Sequence, residues 1–477
     1  MTKDAFICSY VLVTWLFVHR TLADKQFLYY TSPSGDDQNL PGLYGGYINR
    51  ENSGRAFDLQ QVAIKCAAMP PNGFYGGLNL KGASYDPHSN EVLLEIDENT
   101  NTQNSLIKGS LCQKNSVCDQ SDVFVFFSTG SNDDKVQDAK LGPFARWKSD
   151  IYFVSRRYRQ GANPRQRTMR MAIRKLIGCQ SQYPFTSNNP INIESCSEEV
   201  SFILEETVDD VVLVMRETQT PTGTLHITDT GTDLHFFVQV QNQKFNEEAI
   251  LLEYNMDLYV AKLHETSVPA QLLHSQPLPL TWTWHRIRDI GAIDYKHGVL
   301  CWSATDRILC SKWKPGYEVL TDIHQVLQPG MAAQVCNGSG EFLPEVVTGI
   351  AIAKENDPLS LYFGCMSQYK DMGGAGFITL NTDWSKGKIY PLVDRHRKIL
   401  AGNMFLTSAC ENMPLKEDDL QSDEGSKEEK QPQLIERSDD KQKEREEVQS
   451  VRGSAVTIFS MTQIILTITI CITLRFI

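Results

Sequence analysis

The chain has 477 residues, 41% hydrophobic and 22% charged, an ordinary balance for a globular protein and too apolar for a wholly disordered one. Its formal net charge is -12, but the segment from Glu411 to Arg452 holds 14 acidic and 8 basic residues, so half of the excess sits there and the folded part is only mildly acidic. Neither GxSxG nor HExxH occurs, and no CxxC pair or Cys/His cluster has metal spacing, which removes the common hydrolase and zinc-site motifs.

Residues 1–23 read as a secretory signal. Lys3 lies near the start, an apolar run extends from Ala5 to Val18, and Thr21-Leu22-Ala23 forms a small-residue cleavage site, so the mature chain is expected to begin near Asp24. An uncleaved anchor helix is the alternative. Phe27 to Thr31, Leu43 to Ile48 and Phe57 to Ile64 then read as strands around a polar Ser32 to Asn39 loop. A fourth strand for this group can come from the far end, Asn403 to Thr407, which would close a ring and remove exposed sheet edges. A second group runs from Gly82 to Phe127 and ends in the apolar VFVFF. The third spans Pro143 to about Ile193, with Ile151 to Ser155 and Thr168 to Leu176 as its clearest strands. Between Glu198 and His274 the phase is lost: VSFILEE, VVLVMRE, TLHITD, LHFFVQV, AILLEY and LYVAKL are six candidates where one group needs four.

The stretch from Ile290 to Gly316 is the most legible. An apolar run ends at Asp294, Tyr295 to Gly298 makes a turn, Val299 to Trp302 resumes, and a second turn at Ala304 to Arg307 leads to Ile308, Leu309 and Cys310. Tyr317 to Leu320 supplies the next run. Four short strands in about 35 residues form a meander, the unit of a propeller blade. Weaker copies occur at Gly82 to Leu111, where Asp86 closes the first run, and at Val347 to Asp383. The fold class is therefore all-β, a β-propeller of six blades, with five or seven blades or a pair of β-sandwiches as alternatives.

Asp294 followed by Leu300-Cys301-Trp302-Ser303 resembles the YWTD repeat of low-density-lipoprotein-receptor-type six-bladed propellers. That resemblance implies a receptor or adhesion role in which a propeller face meets a protein ligand. The EGF-like and ligand-binding repeats that usually flank such propellers are absent from the sequence, which favours cell-cell recognition over endocytosis.

Twelve cysteines are present, with Cys8 in the signal and Cys471 in the terminal apolar segment. The remaining ten, behind a signal peptide, imply disulfides. Local pairing suggests Cys112 with Cys118, Cys179 with Cys196, Cys301 with Cys310 and Cys336 with Cys365, leaving Cys66 and Cys410 to join the first blade to the closing strand. Residues 24–410 would thus be the extracellular propeller and 411–452 a charged, disordered stalk that buries too little apolar surface to order; an acidic interaction tail is the other reading. In 453–477, Ala455 to Leu474 lacks charge and can just span a bilayer, while Gly453-Ser454-Ala455 also fits a glycosylphosphatidylinositol signal. Either way the protein is expected on the outer face of the plasma membrane.

From Arg146 to Lys175 ten basic residues face one acid, Asp150. Folded as a hairpin turning at Gly161-Ala162-Asn163-Pro164, the segment would present Arg156, Arg157, Arg159, Arg165, Arg167 and Arg170 to a sulfated glycan, acidic lipid headgroups or an acidic protein partner, because guanidinium forks match planar anions. Charges that simply face water are the plainer reading, and nucleic acid is not expected outside the cell. Asp97, Asn99 and Asn101 open like a calcium loop, but Thr102 and Lys108 stand where it needs Gly and Glu, so no cofactor is expected. Asn337-Gly338-Ser339 is the glycosylation sequon, and Gly45-Gly46 and Gly373-Gly374 read as hairpin glycines. Asp294 is expected to tie blades by hydrogen bonds. The alternative function is a calcium-dependent lactonase- or esterase-like propeller hydrolase, with Asp86, Asp229, Asp294 and Asn403 converging on the axis.

Overall fold

The structure, a computed structural model, describes residues 27–32, 42–47, 61–65, 79–86, 88, 91–97, 103–110, 116–117, 123–127, 136–160, 163, 165–177, 191–192, 196–209, 219–246, 248, 250–280, 291–328, 331, 345–354, 359–367, 373–381, 384, 386–391 and 404–407. The expectations placed on residues 1–23, 411–452 and 453–477, on Asn337 and Asn403, and on Cys66, Cys112, Cys118, Cys179, Cys336 and Cys410 lie outside the described residues.

Within them the strands form six sheets. The first joins β1 (Phe27–Ser32), β2 (Gly42–Tyr47) and β3 (Gln61–Lys65), with the two-residue β7 (Ser116–Val117) outside β3 and β26 (Met404–Thr407) inside β1. The second runs β4 (Asn79–Asp86), β5 (Glu91–Asp97), β6 (Gln103–Ser110), β8 (Val123–Phe127) and the short β12 (Ile191–Asn192). In the third, β9 (Val136–Trp147), β10 (Asp150–Gln160) and β11 (Gln166–Leu176) are followed by β13 (Ser197–Asp209). The fourth is β14 (Gln219–Asp229), β15 (Leu234–Phe245), β16 (Leu251–Lys262) and β17 (Gln271–Pro277). The fifth is β18 (Ile293–Lys296), β19 (Val299–Ala304), β20 (Arg307–Lys312) and β21 (Ile323–Leu327), and the sixth is β22 (Glu345–Lys354), β23 (Leu359–Ser367), β24 (Gly373–Leu380) and β25 (Lys386–Pro391). Pairing is antiparallel except where the two-residue β7 and β12 join β3 and β8.

The lead strand of each sheet lies beside that of the next. The Arg146 amide donates to Ser84 Oγ at 2.9 Å, linking β9 to β4, and the Ile293 amide to Thr224 Oγ1 at 3.1 Å, linking β18 to β14. Ile352 N–H donates to Asp294 Oδ2 at 2.7 Å, joining β22 to β18. Tyr85 of β4 stacks on Phe405 of β26 at 5.0 Å, and β26 also lies against β22. With β26 paired to β1 from Tyr30↔Met404 to Phe27↔Thr407, the first and last described strands share one sheet. The arrangement is propeller-like, and the expected closing strand is in place.

Period-two alternation explains where the core sits. In β19, Trp302 and Leu300 face the fourth sheet and pack with Phe237, Leu258 and Trp313. Cys301, one residue along, faces the sixth sheet among Ile350, Leu361 and Phe363. Another core fills the space between third and fourth sheets, from Val154, Met169, Met171 and Ile173 to Phe236, Val238 and Val240. The fourth and fifth sheets are therefore apolar on both faces, as stacked blades require.

The structure also resolves the lost phase. VSFILEE belongs to the third sheet as β13, AILLEY and LYVAKL are a single long strand, β16, and VVLVMRE lies outside the described residues. Neighbouring-strand pairing, which sequence period cannot report, decides that split. The fourth strand of the fifth sheet is Ile323–Leu327, not Tyr317 to Leu320; the latter forms a loop whose Leu320 amide donates to Leu273 O at 3.2 Å. Gly45 and Gly46 lie within β2 opposite Tyr29 and Leu28, and Gly373 opens β24, so these are strand glycines and not turn residues. Cys301 and Cys310 stand directly opposite on β19 and β20, Cα atoms 4.1 Å apart, and are disulfide-bonded as the spacing suggests. Cys196 and Cys365 are also in disulfides.

Candidate functional site

The basic segment does fold as a hairpin. β10 and β11 pair from Tyr152↔Lys175 to Gln160↔Arg167, and the turn is shaped by Asn163, whose Oδ1 accepts from Arg165 N and whose carbonyl accepts from Gln166 N, both at 3.0 Å. Its cations divide along the hairpin's length. Arg156 is 4% exposed, and its Nη1 donates to Gln219 O at 2.6 Å and Thr220 Oγ1 at 3.0 Å in the fourth sheet. Arg170, directly opposite Arg157, lies over the Phe202 ring at 4.0 Å and pairs with Glu199 at 2.6 Å and Glu205 at 2.9 Å. The hydrogen-bonded Glu199 carboxylate holds the Arg170 guanidinium still more firmly protonated than usual. Arg174 donates to the Ser197 hydroxyl and carbonyl, Lys175 pairs with Asp150 at 2.7 Å, and Arg146 reaches Glu91 and Asp86.

Nearer the turn the pattern changes. Arg159 and Arg165 are exposed, and Arg167 is half-exposed with Nη1 donating to Gln166 O at 3.4 Å. Arg157 is half-buried on the face it shares with Arg159. Sequence alone places the six arginines in one hairpin; it cannot assign them, because Glu199 and Glu205 on β13 and Gln219 on β14 lie tens of residues away. The hairpin therefore has a structural base, where charge is matched by neighbouring sheets, and a charged tip. Such tips offer rigid, fork-shaped donors to anions.

The lead-strand carboxylates are engaged between sheets. Asp86 is fully buried, accepts from His88 N at 3.0 Å and lies 3.9 Å from Arg146. Asp229 accepts from Gly231 N at 2.8 Å and lies 3.9 Å from Lys148. Asp294 bridges three sheets: Oδ2 takes the Ile352 amide, and Oδ1 lies 3.6 Å from His226 Nδ1 on β14. Asp86, Asp229 and Asp294 do not converge into one acidic cluster among the described residues; each meets a donor from its own turn or a neighbouring strand.

His226 escapes a sequence reading, since the only signal is its juxtaposition with Asp294, 68 positions on, across two sheets. Burial pushes its imidazole below the usual value, against the upward pull of the Asp294 carboxylate, so it is neutral at pH 7. A neutral imidazole beside a carboxylate can in principle carry a proton. Here, however, the carboxylate's other oxygen is fixed by a backbone amide, an arrangement that suits tying sheets together.

No family model matches the chain, the YWTD repeat included, and no curated protein matches it. Among solved structures it is similar to the polysaccharide lyase Uly1, at 10% identity and a TM-score of 0.32, over 68% of this chain and 60% of the lyase. It is similar as well to a GH43_1 enzyme from Xanthomonas citri complexed with xylotriose, at 10% identity and 0.31, over 66% of this chain and 92% of the enzyme. Drosophila Semaphorin 1a, extracellular domains 1-2, overlaps 78% of this chain and 87% of its own length at 8% identity and 0.30. The fold assignment rests on the sheet pairing, and what stands of the YWTD resemblance is a propeller-like set of antiparallel sheets.

Proposed function

We propose that the chain is a six-bladed propeller acting as an extracellular recognition module, held at the cell surface by its C-terminal apolar segment. It would dock an anionic partner, an acidic protein face or a sulfated glycan, on the tip of the β10–β11 hairpin. The six sheets of at least four strands and the β26–β1 pairing support the blade count. One observation carries the functional reading: Arg156, Arg170 and Arg174 have partners within the fold, while Arg159 and Arg165 stand exposed on a turn braced by Asn163. Exposed charges of one sign on a rigid tip raise encounter rates with anions and set orientation.

The test is binding of the full-length chain to a panel of extracellular proteins and sulfated glycans, with Arg159→Glu and Arg165→Glu combined. A saturable interaction weakened at least tenfold by the double reversal is the expected result. An interaction untouched by it would move the contact elsewhere on the molecule.

A further inference from the structure

The lysines whose side chains are described fall into two groups. Lys148, Lys175, Lys244 and Lys262 each lie within 4 Å of a carboxylate, of Asp229, Asp150, Glu253 and Asp233 respectively. Lys296, Lys312 and Lys314 have no such pair among the described residues, and the fold gathers all three at one end of the fifth sheet. Register does this directly. Lys296 of β18 stands opposite Val299 of β19, which stands opposite Lys312 of β20, so the two lysines project from one face with a valine between them. Their backbones are two strand spacings apart, about 10 Å, and Lys314 follows about 7 Å further along the chain.

The surroundings keep these charges outward. Lys312 and Lys314 are exposed and Lys296 partly so, and Lys314 Nζ sits 5.4 Å from the Tyr317 ring centre. The acid closest along the strand, Asp294, is held by Ile352 N, and Asp322 lies 2.8 Å from His324 Nε2; Glu318 is exposed in the loop that follows. The turn under Lys296 is rigid, with His297 at φ 53° and Gly298 at φ 81° and Trp313 N donating to Gly298 O at 3.0 Å. This end of the sheet carries the β18–β19 turn. The arginine tip follows the second strand of its own sheet and so lies at the opposite end of the strands.

We infer that Lys296, Lys312 and Lys314 form a second anion-binding surface whose ligand is a linear sulfated glycan. Three ammonium groups spaced over roughly 10–15 Å match sulfates repeated along a chain better than a single planar carboxylate, which favours arginine forks. An anionic bilayer would draw on apolar side chains as well as charge, and Val319 is the exposed large apolar residue of this segment. The inference relies on the extracellular placement proposed above, not on the arginine tip.

The experiment passes the full-length chain over immobilised heparin and over its desulfated form, with Lys296→Gln, Lys312→Gln and Lys314→Gln combined, and separately with Arg159→Gln and Arg165→Gln. The expected result is sulfate-dependent binding that the lysine variant weakens about tenfold, with a shallower salt dependence. The triple Lys→Arg chain should keep heparin binding within about threefold, which separates lost charge from a damaged sheet. Heparin binding lost only in the arginine variant would sink this surface and support the hairpin tip. Equal binding to desulfated heparin, or lysine dependence seen on phosphatidylserine vesicles but not on heparin, would overturn the glycan assignment.

Discussion

Replacing Asp294 tests the claim that this carboxylate ties sheets together. In Asp294→Ala, the Ile352 amide loses an acceptor at 2.7 Å, and Ile352 is fully buried, so only water entering the space the carboxylate leaves, at a position 21% exposed, could take up the bond. Leaving a buried donor unsatisfied costs about 1–3 kcal/mol, toward the upper end when the lost acceptor is charged. The link to His226 adds little, because that imidazole is neutral near pH 7. Asp294→Ala should therefore cost about 2–3 kcal/mol. Asp294→Asn keeps an oxygen that can take the same amide and should cost about 1 kcal/mol. Urea unfolding followed by tryptophan fluorescence, to which the buried Trp302 and Trp313 contribute, reads both, with the alanine midpoint lowered by about 0.5–1 M. An alanine variant with the wild-type midpoint would refute the tie. Equal loss in both variants would show that the charge facing His226, and not the amide bond, does the holding.

Four further outcomes follow from the same geometry. At Gly223, φ +69°, an added Cβ would lie 2.5 Å from the Gly291 backbone, whereas at Gly298, φ +81°, it would meet nothing within 4 Å. Gly223→Ala should lower stability by at least about 3 kcal/mol and Gly298→Ala by about 1 kcal/mol; similar melting temperatures in the two variants would contradict this. Arg156→Ala should destabilise the chain by about 2–3 kcal/mol through its buried bonds to Gln219 and Thr220 yet leave partner binding intact, the reverse of the Arg159 and Arg165 pair. Removing Cys301 and Cys310 together should cost about 2–3 kcal/mol, given their separation of 9 residues, and a melting temperature unmoved in the double alanine chain would argue against it. His226, His235 and His274 are all held below their ordinary value, chiefly by burial. The unfolded chain then takes up protons that the folded one refuses. Stability is full above about pH 6.5 and falls as the pH drops through the lowered folded values, by at most about 1.4 kcal/mol per pH unit for each histidine. Unfolding midpoints that stay level between pH 7.5 and 5 would contradict it.

How much of this was legible beforehand depends on range. The first three strands of the fifth sheet could be read because their signals are local: the Asp294 run, the His297-Gly298 turn and Cys301 opposite Cys310 lie within a dozen or so residues of their partners. The closing strand was legible for another reason, since a ring demands a partner for β1 and Met404–Thr407 is the last apolar run before the acidic segment. The fourth group failed because β16 carries two apolar stretches joined through Asn255, and only its register against β15, unbroken from Glu253 to Lys262, shows them to be one strand.

The division of charge lies further from the sequence again, and it bears most on function. Arg156 and Arg159 are three residues apart in one basic run, yet one is sealed against Gln219 and the other faces solvent, because β10 passes from beneath the fourth sheet to a free turn between them. Charge density along a chain therefore says little about which charges a partner can reach. The lysines make the converse case: Lys296 and Lys312 are 16 residues apart in an unremarkable stretch, and only the β18–β19–β20 register sets them on one face. In a propeller-like fold each sheet must be apolar on both faces, so unpaired charge survives only at strand ends. The hairpin tip of the third sheet and the lysine end of the fifth are both such places.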